Sequence, residues 1–439
     1  MSFQEAVSYL DALGVDHMRS RGPSTHRIEA LLELLDHPER AVPAIHITGT
    51  NGKTSVAHIS TSLLRASGLK VGTYTSPHLQ SVTERIALDG EPIDEHSFGD
   101  LFAHVLPYLE LIDERVSYFE LLTGMFFLWA ADNAEAAVVE VGLGGRWDAT
   151  NVLTASVAVI TNIGLEHTEL LGSNTETIAK EKVGIIKPGA MVVTAERSPA
   201  VLRVISDEAA AQGAELAALE RDFSVLDNRV AFGGRYLKLH SSKALFDELF
   251  LPLHGSHQGT NAAVALEAVT RFLPAQPLAE EVVQEGLAQA VVPGRLESVR
   301  QAHDEVTVVL DVAHNPDGMA ALVNGLAEAF VFDDLVVVVG VLADKNYRGM
   351  LAELARLPCT LVVTQPQSAR SVAPSDLGAA AAELGLDYEI VSEVGAAVDA
   401  AIGSAGQGRL VCVTGSHYVV GEARRALERS GAPDEEDSR

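Results

Sequence analysis

The sequence predicts an α/β protein built from two successive, mostly parallel sheets. Short β-branched runs alternate with helical stretches from "PAIHIT" (43–48) to "ASVAVITNIG" (155–164), which calls for crossover connections and so parallel strands. A glycine-bearing loop, "GTNGKTS" (49–55), stands between the first strand and the helix that follows it. A second alternating set begins after Pro293-Gly294, where turn residues interrupt the pattern.

Taken in order, "MSFQEAVSYLDALG" reads as an amphipathic helix with Phe3, Ala6, Val7 and Leu10 on one face. "PAIHIT" is a buried strand, and "KTSVAHISTSLLRAS" is a helix closed by Gly68. "KVGTYTS", "AEAAVVEVG" and "ASVAVITNIG" follow as strands, with "YFELLTGMFFLWAAD" helical among them. "RVAFGGRYLKL" reads as a hairpin appended to the sheet. In the second set, "VTVVLDV", "DLVVVVGVL", "CTLVVTQP", "DYEIVS" and "RLVCVTGS" are strands separated by helices. The expected domains are residues 1–294 and 295–430, with the acidic 431–439 expected to be a disordered tail.

The 439 residues are 47% apolar and 21% charged, a soluble globular balance. Sixty acidic against 32 basic side chains give a net charge of −28, which argues against nucleic acid or an anionic membrane as the main partner. An anionic ligand must then be met by a few local cations and backbone N–H groups. Cys359 and Cys412 lie in apolar runs that read as buried strands, consistent with a reducing cytoplasm. The amphipathic start is no signal peptide, and the apolar stretch around "GMFFLWAA" is too short to span a bilayer.

The loop departs from the Walker A pattern, since Ile47 stands where its first glycine belongs and Gly49 shortens the turn. Its chemistry survives the shortening. Backbone N–H groups and a helix N-terminus suit a phosphate, Lys53 suits the β/γ oxygens, and Thr54 or Ser55 offers a hydroxyl to Mg²⁺. Glu140 stands at the carboxyl end of a strand, where α/β sheets place ligands, although a glutamate there is as often a solvated surface residue. After it come Gly142, Gly144 and Gly145, a mobile loop leading to Arg146, Trp147 and Asp148. His167 lies beyond the next strand. Lys182 precedes the apolar "VGII" and is placed to point inward, where a neutral amine is favoured, whereas Lys180 and Lys187 read as a charged helix face. Asn261 serves equally as a helix N-cap or first-turn residue or as a reader of a base edge. Arg295 stands at the domain junction, and Asp311 and His314 end the second set's first strand.

"GTNGKT", "TSPHL", "EVGLGGRWDATN", "EKVGIIKPG", "HQGTNAA", "PGRLE" and "AHNP" occur in that order. The set, from about residue 20 to 425, resembles the folylpolyglutamate synthase/dihydrofolate synthase family, relatives of the Mur ligases. The resemblance implies a P-loop-type ATPase domain followed by a smaller Rossmann-like domain, with the active site in the cleft between them. It implies ATP and Mg²⁺ as cofactors and an ATP-dependent addition of L-glutamate to dihydropteroate or reduced folates through an acyl phosphate. Carried over by position, Gly49, Thr50, Asn51, Gly52, Lys53, Thr54, Ser55, Asn261, Arg295 and Asp311 would bind ATP. Ser76, Glu140 and His167 would hold Mg²⁺, and Lys182 would be an N-carboxylated lysine. Phe119, Glu120, Trp147, Asp148 and Ala149 would line the pterin pocket. Lys53, Lys182 and His314 are the catalytic candidates in a monomeric, cytoplasmic enzyme. Thr54, Glu166 and Val312 depart from the residues usual in the family at their positions.

Two other readings compete. A Mur-type UDP-muramoyl ligase carries a UDP-binding domain ahead of the loop, and here little more than two helices precede Gly49. A non-catalytic nucleotide-binding regulator or motion-driving NTPase would not need Ser76, Glu140, His167 and Lys182 together with Asp311 and His314.

Overall fold

Eight strands form the main sheet of the larger of two compact units. In the computed structural model the described residues are 1–14, 24–275, 277–300, 306–403 and 408–431. The tail expected to be disordered lies outside them from residue 432 onward. The first unit comprises Met1–Arg229, Arg235–Pro252 and Gln258–Val291, and the second comprises Val230–Gly234, Leu253–His257 and Val292–Arg439.

The first unit's sheet contains β1 (Ala44–Thr48), β2 (Val71–Tyr74), β3 (Ile86–Leu88), β4 (Glu91–Pro92), β5 (Ala136–Glu140), β6 (Val157–Ile160), β7 (Met191–Thr194) and β8 (Glu215–Ala218). Their order is β4-β3-β2-β5-β1-β6-β7-β8. From β2 to β8 the pairing is parallel, while β3 and β4 add an antiparallel edge. Every residue of β1, β2, β5 and β6 is buried, as strands covered by helices on both faces must be. The chain leaves β1 for β2 on one side, and β6 leads to β7 and β8 on the other. The direction therefore reverses beside β1, the place where such sheets open a crevice at the carboxyl ends of their strands.

Helix Tyr118–Asn133 is apolar almost all round because it is interior: Leu121, Leu122, Met125 and Phe126 are each at most 1% exposed. Its core cluster includes Tyr74, Phe98 and Phe102. The N-terminal helix, Phe3–Leu13, carries a Ser2/Glu5 capping box and sets Phe3 edge-on to Phe98 at 5.6 Å. No described helix is long and apolar enough to cross a membrane.

The expected hairpin does not extend this sheet. β9 (Ser224–Ala231), β10 (Gly234–His240) and β11 (Leu245–Leu251) form a separate three-stranded sheet in the order β11-β10-β9. β10 alternates buried with less buried positions, the signature of a sheet covered on one face, so it packs as a layer of its own. β11, which the sequence reading did not single out, pairs antiparallel with β10 with a register shift between Leu237 and Leu239.

The second unit's sheet consists of β12 (Glu297–Arg300), β13 (Thr307–Leu310), β14 (Asp334–Val339), β15 (Thr360–Val363), β16 (Asp387–Ile390) and β17 (Arg409–Thr414). Their order is β12-β13-β17-β14-β15-β16, parallel except for β12. Cys412 is buried in β17. Cys359 precedes β15 and is only part-buried, which corrects its expected place inside a strand; both thiols are free.

Candidate active site

The phosphate-type loop sits where β1 ends and helix Lys53–Ala66 begins. Gly52 holds φ +87° at the N-cap, and no side chain caps this end, so the amides of the first turn face outward as an anion site. Gly49, at φ +148°, has Thr161 Oγ1 only 1.8 Å from where a Cβ would stand, so no other residue fits there. Lys53 Nζ bends back to donate to the carbonyls of Gly49 and Thr50, both at 3.1 Å.

The other wall of this loop is the exit of β6, which the sequence reading did not single out. Thr161 Oγ1 donates to the Asn51 carbonyl at 2.7 Å, and Asn162 Oδ1 accepts from Asn51 N at 2.9 Å. Asn162 O accepts from Thr50 N, and Gly164 N donates to Thr50 Oγ1. Glu196, at the exit of β7, supports that wall by accepting from Ile163 N at 2.8 Å. The sequence signal was available: "TNIG" is a hydroxyl and an amide directly after a buried strand adjacent to β1.

Glu140 ends β5 with 1% exposure, so it is not the solvated residue that a strand end allowed. Its carboxylate accepts from Thr54 Oγ1 at 3.0 and 3.1 Å and from Ser76 N at 3.3 Å. One buried carboxylate with hydroxyls beside a phosphate loop is the hard oxygen donor set that Mg²⁺ takes together with substrate phosphates, so these residues fit the ion. Ser55 is buried on the helix. His167 stands on the loop after β6, its Nε2 3.6 Å from Glu166. Among the described residues no three His, Cys, Asp or Glu side chains gather as a metal cluster.

Lys182 closes helix Thr175–Lys182, is 4% exposed, and donates from Nζ to the Gly49 carbonyl at 2.7 Å. It therefore shares that oxygen with Lys53. Burial, and then the charge of Lys53, lower its pKa to about 7. Lys187 is not on the helix face expected for it. It lies past the helix, donates to Asn151 O at 2.7 Å, and has its pKa lowered chiefly by burial.

The pterin-pocket candidates divide. The Phe119 ring packs on Gly142, where a Cβ would meet it at 2.5 Å, and lies 5.8 Å from the Tyr74 ring. Trp147 is 45% exposed on the loop, while Ala149 is buried. Asp148 and Glu120 are both engaged with protein groups. Asp148 is fully enclosed: Oδ2 accepts from Leu143 N at 2.9 Å, and Oδ1 from Thr150 N at 2.9 Å and Thr150 Oγ1 at 2.5 Å. Its carboxylate organises the loop, and burial raises its pKa. Glu120 forms the capping box of its helix with Ser117 and an ion pair with Arg27 at 3.0 Å. Both carboxylates bind protein groups that hold their own segments in place. The loop itself is not a floppy run of glycines. Gly144 O accepts from Thr48 Oγ1 at 2.7 Å, and Gly145 lies against the Lys182 carbonyl, 2.6 Å from its would-be Cβ.

Asn261 is in the second turn of helix His257–Phe272, so it neither caps nor opens it. Its Nδ2 donates to Gln258 Oε1 at 2.9 Å, and its Oδ1 sits over Gly52 of the loop. In the second unit, Asp311 follows β13 and accepts from Leu296 N and Ala313 N, each at 2.9 Å. Burial raises the pKa of Asp311, with the charge of Arg295 opposing the shift. His314 Nδ1 faces Val312 O at 2.9 Å, which places the proton on Nδ1, and its ring lies 5.3 Å from that of His417.

The Mur ligase middle domain matches residues 47–269, and the Mur ligase, glutamate ligase domain matches residues 294–417. A dihydrofolate synthase/folylpolyglutamate synthase of Mycobacterium tuberculosis is 42% identical over 382 residues, covering 82% of this chain and 78% of the relative. One from Bacillus subtilis is 32% identical, covering 96% and 100%. The structure of Mycobacterium tuberculosis folylpolyglutamate synthase complexed with ADP matches at TM-score 0.90 and 39% identity, covering 98% and 99%. An FPGS–AMPPCP–folate complex matches at TM-score 0.85 and 31% identity, covering 97% and 100%.

Proposed function

Since the chain belongs to the dihydrofolate synthase/folylpolyglutamate synthase family of Mur ligases, we propose a residue-by-residue account of how it joins L-glutamate to a folate-type carboxylate. The protein is an ATP-dependent ligase acting on dihydropteroate, reduced folates or both, with ATP and Mg²⁺ as cofactors. The observation that carries the account is the pair of lysines on one loop carbonyl, Lys53 and Lys182 on Gly49 O, beside the Glu140–Thr54 corner.

The loop amides and Lys53 hold the β/γ-phosphates. An oxygen of the acceptor carboxylate attacks the γ-phosphorus, ADP leaves, and an acyl phosphate forms. The α-amine of glutamate then attacks the acyl carbon, phosphate leaves, and the nitrogen loses a proton as the amide forms. Lys53 and Arg295 neutralise charge on the transferring group. His314, basic at Nε2 when Nδ1 carries the proton, receives the amine's proton. Glu140, Thr54, Ser76 and His167 would hold Mg²⁺, which when bound neutralises phosphate charge. Lys182, with its pKa brought to about 7, offers a neutral amine that would add to the carbon of CO₂ and release a proton, leaving a carbamate oxygen that would suit Mg²⁺. Asn261 and Asp311 contact the nucleotide, while Phe119, Trp147 and Ala149, with Glu120 and Asp148 beside them, take the pterin.

We place the domain boundary at residue 294 and read a monomer in the cytoplasm, consistent with two free thiols. The deciding assay is glutamate-dependent ADP release with dihydropteroate and with tetrahydrofolate. Release with at least one acceptor is expected. Release only with a UDP-muramoyl substrate would overturn the account.

A further inference from the structure

Beside the acceptor candidates the first unit buries a cation, Arg85, that has no carboxylate partner among the described residues. Arg85 ends the short 3-10 turn Val82–Arg85 and is 6% exposed. Its Nε donates to His78 Nδ1 at 3.0 Å, and its guanidinium lies 5.3 Å from the centre of the Tyr118 ring. Among the described residues no carboxylate stands within ion-pair distance of it, although the chain has 60 acidic side chains against 32 basic ones. Arg27 shows the ordinary arrangement, paired with both Glu114 and Glu120. A buried guanidinium facing only an imidazole and an aromatic ring carries a desolvation cost that such neighbours offset incompletely.

Its surroundings point to the kind of anion it would meet. Arg85 O accepts from Thr75 N, and the next residue, Ser76, donates from its backbone N to Glu140. Tyr118 precedes Phe119, whose ring packs on Tyr74 and on Gly142 of the glycine loop. The arginine thus touches Thr75, next in the chain to the Glu140 partner Ser76, and Tyr118, next to the Phe119 to which the pterin is assigned.

We propose that Arg85 binds a carboxylate of the acceptor substrate. The inference rests on the folate reading and goes beyond it by naming the cation that recognises the acceptor. With Nε committed to His78, the terminal Nη groups supply the planar donors that suit a carboxylate. Acceptors offer two sources of the same chemistry. One is the α-carboxylate of a reduced folate's existing glutamate, and the other is the reacting carboxylate, which dihydropteroate also has.

The test is calorimetric binding of three acceptors in the presence of a non-hydrolysable ATP analogue, to wild type, Arg85→Gln and Arg85→Lys. The acceptors are tetrahydrofolate, dihydropteroate and tetrahydropteroyl-γ-aminobutyrate, which lacks only the α-carboxylate. Arg85→Gln is expected to weaken tetrahydrofolate about tenfold or more, with Lys keeping part of the affinity and the ATP analogue within about twofold of wild type. A loss confined to tetrahydrofolate, and reproduced in wild type by the aminobutyrate compound, assigns the α-carboxylate. A loss shared by all three assigns the reacting one. Unchanged acceptor affinity in Arg85→Gln overturns the proposal, as does nucleotide affinity falling in parallel. Should that variant not fold, wild type decides: a folate diester that binds as tightly as the diacid overturns it. Wild type that releases no ADP with glutamate and either acceptor would sink the folate reading itself, a separate result.

Discussion

Lys53 and Lys182 meet at one carbonyl, yet their substitutions should fail differently. The Lys53 side chain serves the phosphate loop and no core cluster, so Lys53→Ala should keep its melting temperature. It should lose about a hundredfold or more in kcat, as expected when a charge-stabilising donor is removed at phosphoryl transfer. Near-normal turnover would reduce the loop to an ordinary βα turn. Lys182→Ala should also be inactive, but short carboxylic acids should restore part of the rate by supplying the missing oxygen ligand. Failure of every such acid, together with native mass spectra under CO₂ that show no adduct, would remove the N-carboxylate assignment. A third residue gives a pH signature. His46 is fully buried in β1, with Nε2 on Thr150 Oγ1 at 2.8 Å, and burial lowers its pKa to about 3 from 6.5. As pH falls through the unfolded value, the unfolded chain gains a proton that the folded chain refuses, so stability drops on the acid side. Between about pH 7.5 and pH 5 this should cost roughly 2 kcal/mol relative to His46→Gln, read from urea midpoints. Parallel pH profiles for the two proteins would show that His46 is not held neutral.

At the scale of elements, the glycine loop after β5 and the Lys182 helix are fitted backbone to backbone. A Cβ on Gly145 would stand 2.6 Å from the Lys182 carbonyl and 2.9 Å from that of Glu181, neither of which is a flexible side-chain end. Gly145→Ala should therefore displace Lys182 and lower kcat at least about tenfold. Gly403→Ala, with nothing within 4 Å of its added Cβ, should leave turnover unchanged. Equal activity in the two variants would mean that the loop yields without moving the lysine. The same contrast explains what the sequence could reveal. β1, β5 and β6 were legible because buried parallel strands are written as short, mainly apolar runs, and the phosphate loop because glycines, lysine and hydroxyl have fixed spacing. The protein partners of Asp148 and Glu120 were not, since a carboxylate in a polar motif looks alike whether or not it also caps its own chain. Thr161 and Asn162 went unnoticed because their partners, Thr50 and Asn51, are more than a hundred residues away, a pairing only the strand order creates. The first turn of helix His257–Phe272 was hidden in "HGSHQGTN", whose Gly, Ser and Asn read as loop, and Asn261 was set one turn too early.

For the whole molecule the governing quantity is its charge of −28, which has the same sign as every substrate it must collect. ATP, glutamate and folates are all anions, and each glutamate added to a folate makes the product more negative. Seen from a distance, the protein repels them, and on the proposed account capture falls to a few cations, Lys53, Arg85 and Arg295. These two contributions differ in range. The summed repulsion acts over a Debye length, about 30 Å at 0.01 M salt and about 8 Å at 0.15 M, whereas contacts at a buried lysine or arginine are screened much less. Raising salt from the lower to the higher value should therefore remove more repulsion than attraction. The expected outcome is a kcat/KM that rises with ionic strength, opposite to the usual loss when a basic protein binds an anion. The rise should be steeper for a triglutamylated acceptor than for a monoglutamate, because the longer chain carries more charge through the same field. Sodium chloride titrations of initial rates, with Mg²⁺ and ATP saturating, measure this directly. A monotonic fall for both acceptors would mean that local cations dominate association, and that the surplus of acidic side chains lies too far from the site to matter.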